Sequence, residues 1–372
     1  MHGLGYSQQV PSAVFAYVMT VAQTSVDAFA VGQAAAEPVP GRGSSRRVET
    51  TERTPRCTPT IYCAHVIHFV NANSIRFAYL EAGAGPLVLL LHGYPDNAHS
   101  WEHQMPVLAD AGYRVVAPFL RGYPPTEVPA NGFYDRATLA SDIKALIEVL
   151  NDGEPAYLVA QDWGAAIAYG VLGAFPQLVR RAVILAVPHP VVVRRTLRRS
   201  PRHAIRSFHW FLFQLPWLPE RLSRAGNFAF IEFLWWLWSP AYRDRAHVAK
   251  IKTMLAEPGA VEAGLAYYRT LLDDKRWDPA LRSLRPALDQ PTPVPTRVVC
   301  GAHDMRREML PAQAEFFTGP YDWHVVEGAG HFLHREQPAA VNRLILDWLR
   351  RTEARAGETL RARCPDVSEP GE

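Results

Sequence analysis

At 372 residues, 48% hydrophobic and 20% charged, the chain can bury one large core or two modest ones, which excludes a compositionally disordered protein. A formal charge of +3 over that length leaves no strong electrostatic footprint, so neither nucleic acid nor a generally acidic partner is expected. Cys57, Cys63, Cys300 and Cys364 have neither CxxC spacing nor the density of a disulfide scaffold, and a reducing, cytoplasmic setting is the plain reading.

Taken in chain order, the apolar stretch 10–36 is interrupted by Gln23, Asp27 and several hydroxyl residues and has no basic segment before it. It reads as an unstructured leader. Cleavage after an A-x-A-like site near Ala36 is the alternative, and would make the protein secreted or periplasmic. GRGSSRRVETTERTPR (41–56) has turn formers, mixed charge and no periodicity, so residues 1–63 are expected to be leader and linker. No segment is long and apolar enough to span a membrane.

From His65 the pattern changes. HVIHFV and SIRFAYLEAG predict a β-hairpin, and PLVLLLHG predicts a buried central strand. YRVVAPF, AYLVAQD, RAVILAV and TRVVCG repeat that apolar theme, with helical patterns such as ATLASDIKALIEVL and AAIAYGVLGAFP between them. Strands alternating with helices imply an α/β fold: a mostly parallel sheet covered on both faces. The alternation stops at Pro188 and resumes near Pro295. The helical, aromatic-rich stretch between them predicts a cap over 190–290, inserted between core segments 64–189 and 291–351. Open α/β sheets bind ligands beyond the carboxyl ends of their strands, where such an insertion roofs the site and excludes water. HVVEGAGHFLHREQPAAVNRLILDWLRR reads as a strand, a loop and an amphipathic helix, and residues 352–372 as a disordered tail.

The sharpest chemical signal is AYLVAQDWGAAIAYG, an apolar strand followed by Ala160, Asp162 and Gly164 in small-x-Asp-x-Gly order and then an alanine-rich helix. So tight a strand-to-helix turn needs small neighbours and lifts the middle side chain above the sheet as a nucleophile. HGYPD (92–96) follows the central strand; its loop, with His92 and Pro95 flanking, can aim the N–H of Tyr94 where the N–H of Trp163 also points, an oxyanion hole. His331 in GAGH is the candidate base, and Asp304 in GAHD the acid that orients it, in the order nucleophile, acid, histidine. A carboxylate nucleophile attacks an alkyl carbon and leaves an enzyme ester, whose carbonyl carbon is then attacked by activated water.

With HGYPDNAHSW, LRGY, QDWG, VPHP, FQLPWLPE, AYYR and GAGHFLH in view, the chain from about 65 to 351 resembles the epoxide hydrolase and haloalkane dehalogenase branch of the α/β hydrolases. That resemblance implies the α/β-hydrolase fold, a cap, and the Asp162, His331 and Asp304 roles. It further implies that two cap residues protonate the epoxide oxygen. Tyr268 of AYYR fills one place, while His209 stands where a tyrosine is usual, as in bacterial epoxide hydrolases with a His–Tyr pair. A histidine near its ordinary value of about 6.5 can be neutral or cationic, so a more acid-shifted ring-opening limb is expected than with two tyrosines.

The dehalogenase alternative rests on Gln161 before the nucleophile and on the indoles of Trp163 and Trp210, which could hold a departing halide. Trp163 and Ala166 stand where fluoroacetate dehalogenases present carboxylate-binding arginines, which argues against a small acid. The expected substrate is a small apolar epoxide or haloalkane, with water. A non-catalytic ligand-binding protein of the same fold is the remaining alternative. Without HExxH or paired-histidine spacing, and without GxGxxG after the first strand, neither metal nor cofactor is expected.

Overall fold

A computed structural model of the chain describes residues 66–351; the leader, linker and tail expected at the two ends lie outside the described residues. The first strands, β1 (Ile67–Ala72) and β2 (Ile75–Ala82), form an antiparallel hairpin. Its two turn residues, Asn73 and Ser74, both have positive φ (44° and 63°), as the twist of a two-residue hairpin loop demands.

The apolar runs that follow become β3 (Leu87–Leu91), β4 (Arg114–Pro118), β5 (Ala156–Gln161), β6 (Val179–Leu185), β7 (Thr296–Gly301) and β8 (Tyr321–Val326). All of β3 and β7 is buried, as the central strands of a sheet covered on both faces must be. The sheet runs β1-β2-β4-β3-β5-β6-β7-β8, antiparallel as far as β4 and parallel from there on. After β4 the chain crosses to the other side of β3 to lay down β5. Strand order therefore reverses at β3, and the loops leaving β3 and β5 open a crevice between them. Those loops carry HGYPD and Asp162.

Helices α1 (Met105–Asp110), α2 (Arg136–Leu150), α3 (Trp163–Ala174) and, after β6, α4 (Pro190–Arg199), α5 (Pro201–Arg206), α6 (Phe208–Leu212), α7 (Leu218–Trp238), α8 (Arg245–Leu255) and α9 (Ala260–Arg269) follow in order. The chain closes with α10 (Leu333–Glu336) and α11 (Pro338–Leu349). Asp135 caps α2 by accepting from the N–H groups of Ala137 and Thr138. Between β6 and β7 the named elements are helical, so the observed organisation follows the expected switch from alternation to insertion. Residues 225–228 interrupt α7, with φ of 55°, 53° and 60° at Gly226, Asn227 and Phe228.

Buried polar contacts fasten this helical insertion to the sheet side. His247 of α8 meets the carboxylate of Asp96 at 2.6 Å, and the same carboxylate accepts from Ser100 at 2.5 Å. Trp235 of α7 donates to the carbonyl of Pro95 and stacks on Phe332, ring centroids 3.5 Å apart. Among the described residues no helix is long and apolar enough to cross a membrane.

Candidate active site

Asp162 ends β5 and opens α3 with φ 51° and ψ −116°, a region that a residue with a side chain adopts only when its surroundings enforce it. Two glycines make the turn feasible. A Cβ at Gly164 would lie 2.2 Å from the carbonyl oxygen of Leu91, and one at Gly93 would lie 2.3 Å from Cβ of Asp162 itself. The carboxylate is buried, and its Oδ1 accepts from the backbone N–H of Tyr94 at 2.9 Å.

His331 stands with Nε2 3.3 Å from Oδ2 of Asp162, in ion-pair range but without a well-aligned hydrogen bond, while Nδ1 lies 2.8 Å from Oδ2 of Asp304. The other oxygen of Asp304 accepts from the N–H of Arg306 at 2.8 Å, which caps the turn of helix after β7. The loop under the imidazole is fixed from several sides: the N–H of His331 donates to the carbonyl of Trp238, Gln161 donates to its carbonyl, and Gly330 donates to Glu336.

Burial opposes the charged imidazolium, yet the two carboxylates beside it, Asp162 in ion-pair range and Asp304 in a hydrogen bond, outweigh it and raise His331 to about 9. For both carboxylates burial pulls upward, and His331, with Arg306 behind it, brings them below their ordinary values. The resting site is thus two carboxylates about one imidazolium.

Tyr268 lies across from the nucleophile and lines the same cavity as Asp162, Trp163 and Trp210. Burial first, then the charge of Asp162, holds its hydroxyl well above its ordinary value, so it remains a donor. The ring of His209 is 5.6 Å from that of Tyr268 and 4.9 Å from that of Trp238. It is fully buried, and its Nδ1 has no hydrogen-bond partner among the described residues. Burial, helped by Arg306, drives His209 well below an ordinary imidazole. That removes the basis for the expected acid-shifted limb: His209 is a neutral ring, able to donate a hydrogen bond but not to carry charge.

The flanking residues of HGYPD turn elsewhere. His92 is buried with Nδ1 on the carbonyl of Gly93 and Nε2 accepting from the N–H of Leu120, so it braces two loops instead of facing the cavity. Burial lowers it to about 4 and keeps it neutral. Pro95 follows a cis peptide bond, and its carbonyl takes the indole of Trp235. Tyr94 turns its ring onto Tyr268 and Phe213 and offers its backbone to the site. Sequence reasoning passed over Arg306 and Trp238, both of which line a second cavity with His331 and Asp304. The position of Arg306 just past the end of β7, where ligands gather in such sheets, was the available signal.

Comparison with known proteins agrees with this architecture. The profile of the alpha/beta hydrolase family matches residues 88–344. An AB hydrolase superfamily protein, YfhM, of Bacillus subtilis is 32% identical over 76% of this chain and 97% of its own length. Human epoxide hydrolase 4 is 28% identical over 83% of this chain and 86% of its own. Among solved structures, an epoxide hydrolase of Bacillus megaterium in complex with an inhibitor superposes with a TM-score of 0.67 at 27% identity, covering 76% of this chain and all (100%) of that one.

Proposed function

Because this chain belongs to the alpha/beta hydrolase family and is an α/β-fold hydrolase, we propose that it opens an epoxide to a vicinal diol through an ester on Asp162. One observation carries the reading: a buried carboxylate on a strained turn, held by the Tyr94 N–H, faces a histidine already paired with a second carboxylate. The relatives named as epoxide hydrolases support the choice of electrophile.

In this reading Oδ2 of Asp162 attacks a ring carbon and the C–O bond of the epoxide breaks. Tyr268 gives its proton to the departing oxygen while His209, neutral, donates a hydrogen bond beside it. Oδ1 becomes the ester carbonyl, held by Tyr94 and, as the alkyl-enzyme reacts, by the N–H of Trp163. The imidazolium of His331, no longer facing an anionic Asp162, returns a proton to Tyr268 through solvent. The neutral ring then takes a proton from water, the hydroxide adds to Cγ, the Cγ–Oδ2 bond breaks, and the leaving oxygen takes the proton of the new Cγ carboxylic acid, so one carboxylate oxygen leaves in the diol. Asp304 holds the imidazole in place. Residues 64–189 and 291–351 serve as the hydrolase core and 190–290 as the cap; the setting is cytoplasmic, and no cofactor enters the cycle.

His331→Gln should stop the cycle at the ester. Mass spectrometry after exposure to a small epoxide panel is expected to show a gain equal to the intact epoxide. A gain lacking halogen from a haloalkane, with halide release and no diol from wild type, would move the assignment to dehalogenation, which the shared cavity of Trp163 and Trp210 also suits. No adduct and no turnover on either class leaves a binding protein.

A further inference from the structure

Arg306 is 6% exposed, a rare state for a guanidinium unless it is paired. The comparably buried arginines Arg121, Arg297 and Arg335 each sit on at least one carboxylate. Arg306 does not: its backbone N–H is engaged by Asp304, but among the described residues its guanidinium has no hydrogen bond or ion pair. It lines both cavities of the site, the one with Asp162 and Tyr268 and the one with His331 and Asp304.

The charge around it points the same way. Arg136 and Arg194, on the wall of the Asp162 cavity, share the single carboxylate of Asp289 at 2.7 and 2.6 Å. Together with Arg306 and the His331 imidazolium they face Asp289, Asp162 and Asp304, so one positive charge is left over for a monoanion. The rest of the cavity wall is apolar, with Val187, Val193 and Leu271.

We propose that Arg306 binds a carboxylate on the substrate, so that the epoxide turned over here is a short epoxy acid with its anion close to the ring. A planar, forked donor matches a carboxylate in two parallel hydrogen bonds, and a single surplus positive charge suits a carboxylate monoanion better than a phosphate dianion. Closeness follows from Arg306 and Asp162 sharing one cavity. The inference rests on the epoxide reading above and replaces the expectation of an apolar substrate drawn from Trp163 and Ala166; the cation comes from the β7 side instead.

A matched pair tests it: a short epoxide bearing a carboxylate and the same skeleton as the neutral amide, assayed for diol with wild type, Arg306→Met and Arg306→Lys. Wild type is expected to prefer the acid by about 10- to 100-fold in kcat/KM, chiefly through KM, as one or two charge-assisted hydrogen bonds would give. The ratio of acid to amide should fall to near unity in Arg306→Met and to an intermediate value in Arg306→Lys, which keeps the charge if the Met variant does not fold. No preference in wild type, or a preference that survives both substitutions, overturns the inference. So does an equal loss on both substrates, which would place Arg306 on the developing alkoxide. If neither epoxide turns over, the epoxide reading fails, and calorimetry with propionate decides the anion site alone: binding to wild type and not to the variants supports it, and no binding overturns it.

Discussion

His331 answers to two carboxylates, and in the proposed cycle only one of them would keep its charge once Asp162 is esterified. Its value of about 9 in the resting site is therefore a property of the free enzyme, and the alkyl-enzyme has lost one of the anions that lift it. We predict that the imidazole titrates near 9 by nitrogen NMR in the free enzyme, whereas breakdown of the alkyl-enzyme, followed in single turnover, rises with pH through a clearly lower value. Equal values would contradict this switching of the base. The sign for stability follows from the raised value: the contribution of the charged histidine is complete below its unfolded value of about 6.5 and is lost as pH rises through about 9. At the same scale, Gly93→Ala would drive a methyl into the nucleophile's own Cβ. A displacement of about 1 Å can cost on the order of 100-fold in rate, so kcat/KM is expected to fall by about that much with the fold retained; full activity would show that the turn has room.

Among the elements, α8 and the β3 loop are joined by the Asp96 carboxylate between His247 and Ser100. Burial favours the neutral acid, but His247, His334 and Ser100 together hold Asp96 down at about 2. A depressed carboxylate stabilises the fold above its unfolded value, about 3.9, and that stabilisation disappears as pH falls through about 2. Removing the buried carboxylate and its hydrogen bonds to Ser100 and His247 costs roughly 1.5–3 kcal/mol, so Asp96→Ala should lower the urea midpoint at neutral pH by a corresponding amount. The gap between variant and wild type should close as pH is taken from 4 toward 2. A gap independent of pH would mean that the contact is packing and not charge.

For the molecule as a whole, sequence was most informative where one local pattern decided the outcome. Continuous apolar runs such as LVLLL read as buried strands, and the small residues around Asp162 as a sharp turn, so the sheet and its crevice were legible in the sequence. His331 and Asp304 were picked out by their loops and chain order, and the fold brings their side chains together at 2.8 Å. Three things were not legible. His92 lies in the motif that lines the crevice, yet its ring is spent on two loops, a choice made by Leu120 far along the chain. The interruption in α7 falls at Gly226 and Asn227, which tolerate positive φ, but whether a helix breaks at such a pair depends on how the insertion packs. Nothing in the sequence sets Arg306 apart from its neighbour Arg307; its burial comes only from the fold around it, and burial of that kind is tertiary information.

The peptide that bears the imidazole hangs by its N–H from the carbonyl of Trp238, the last residue of α7. Roof and base thus share one point of attachment, so a substitution that shifts the end of α7 also shifts the peptide that carries the imidazole.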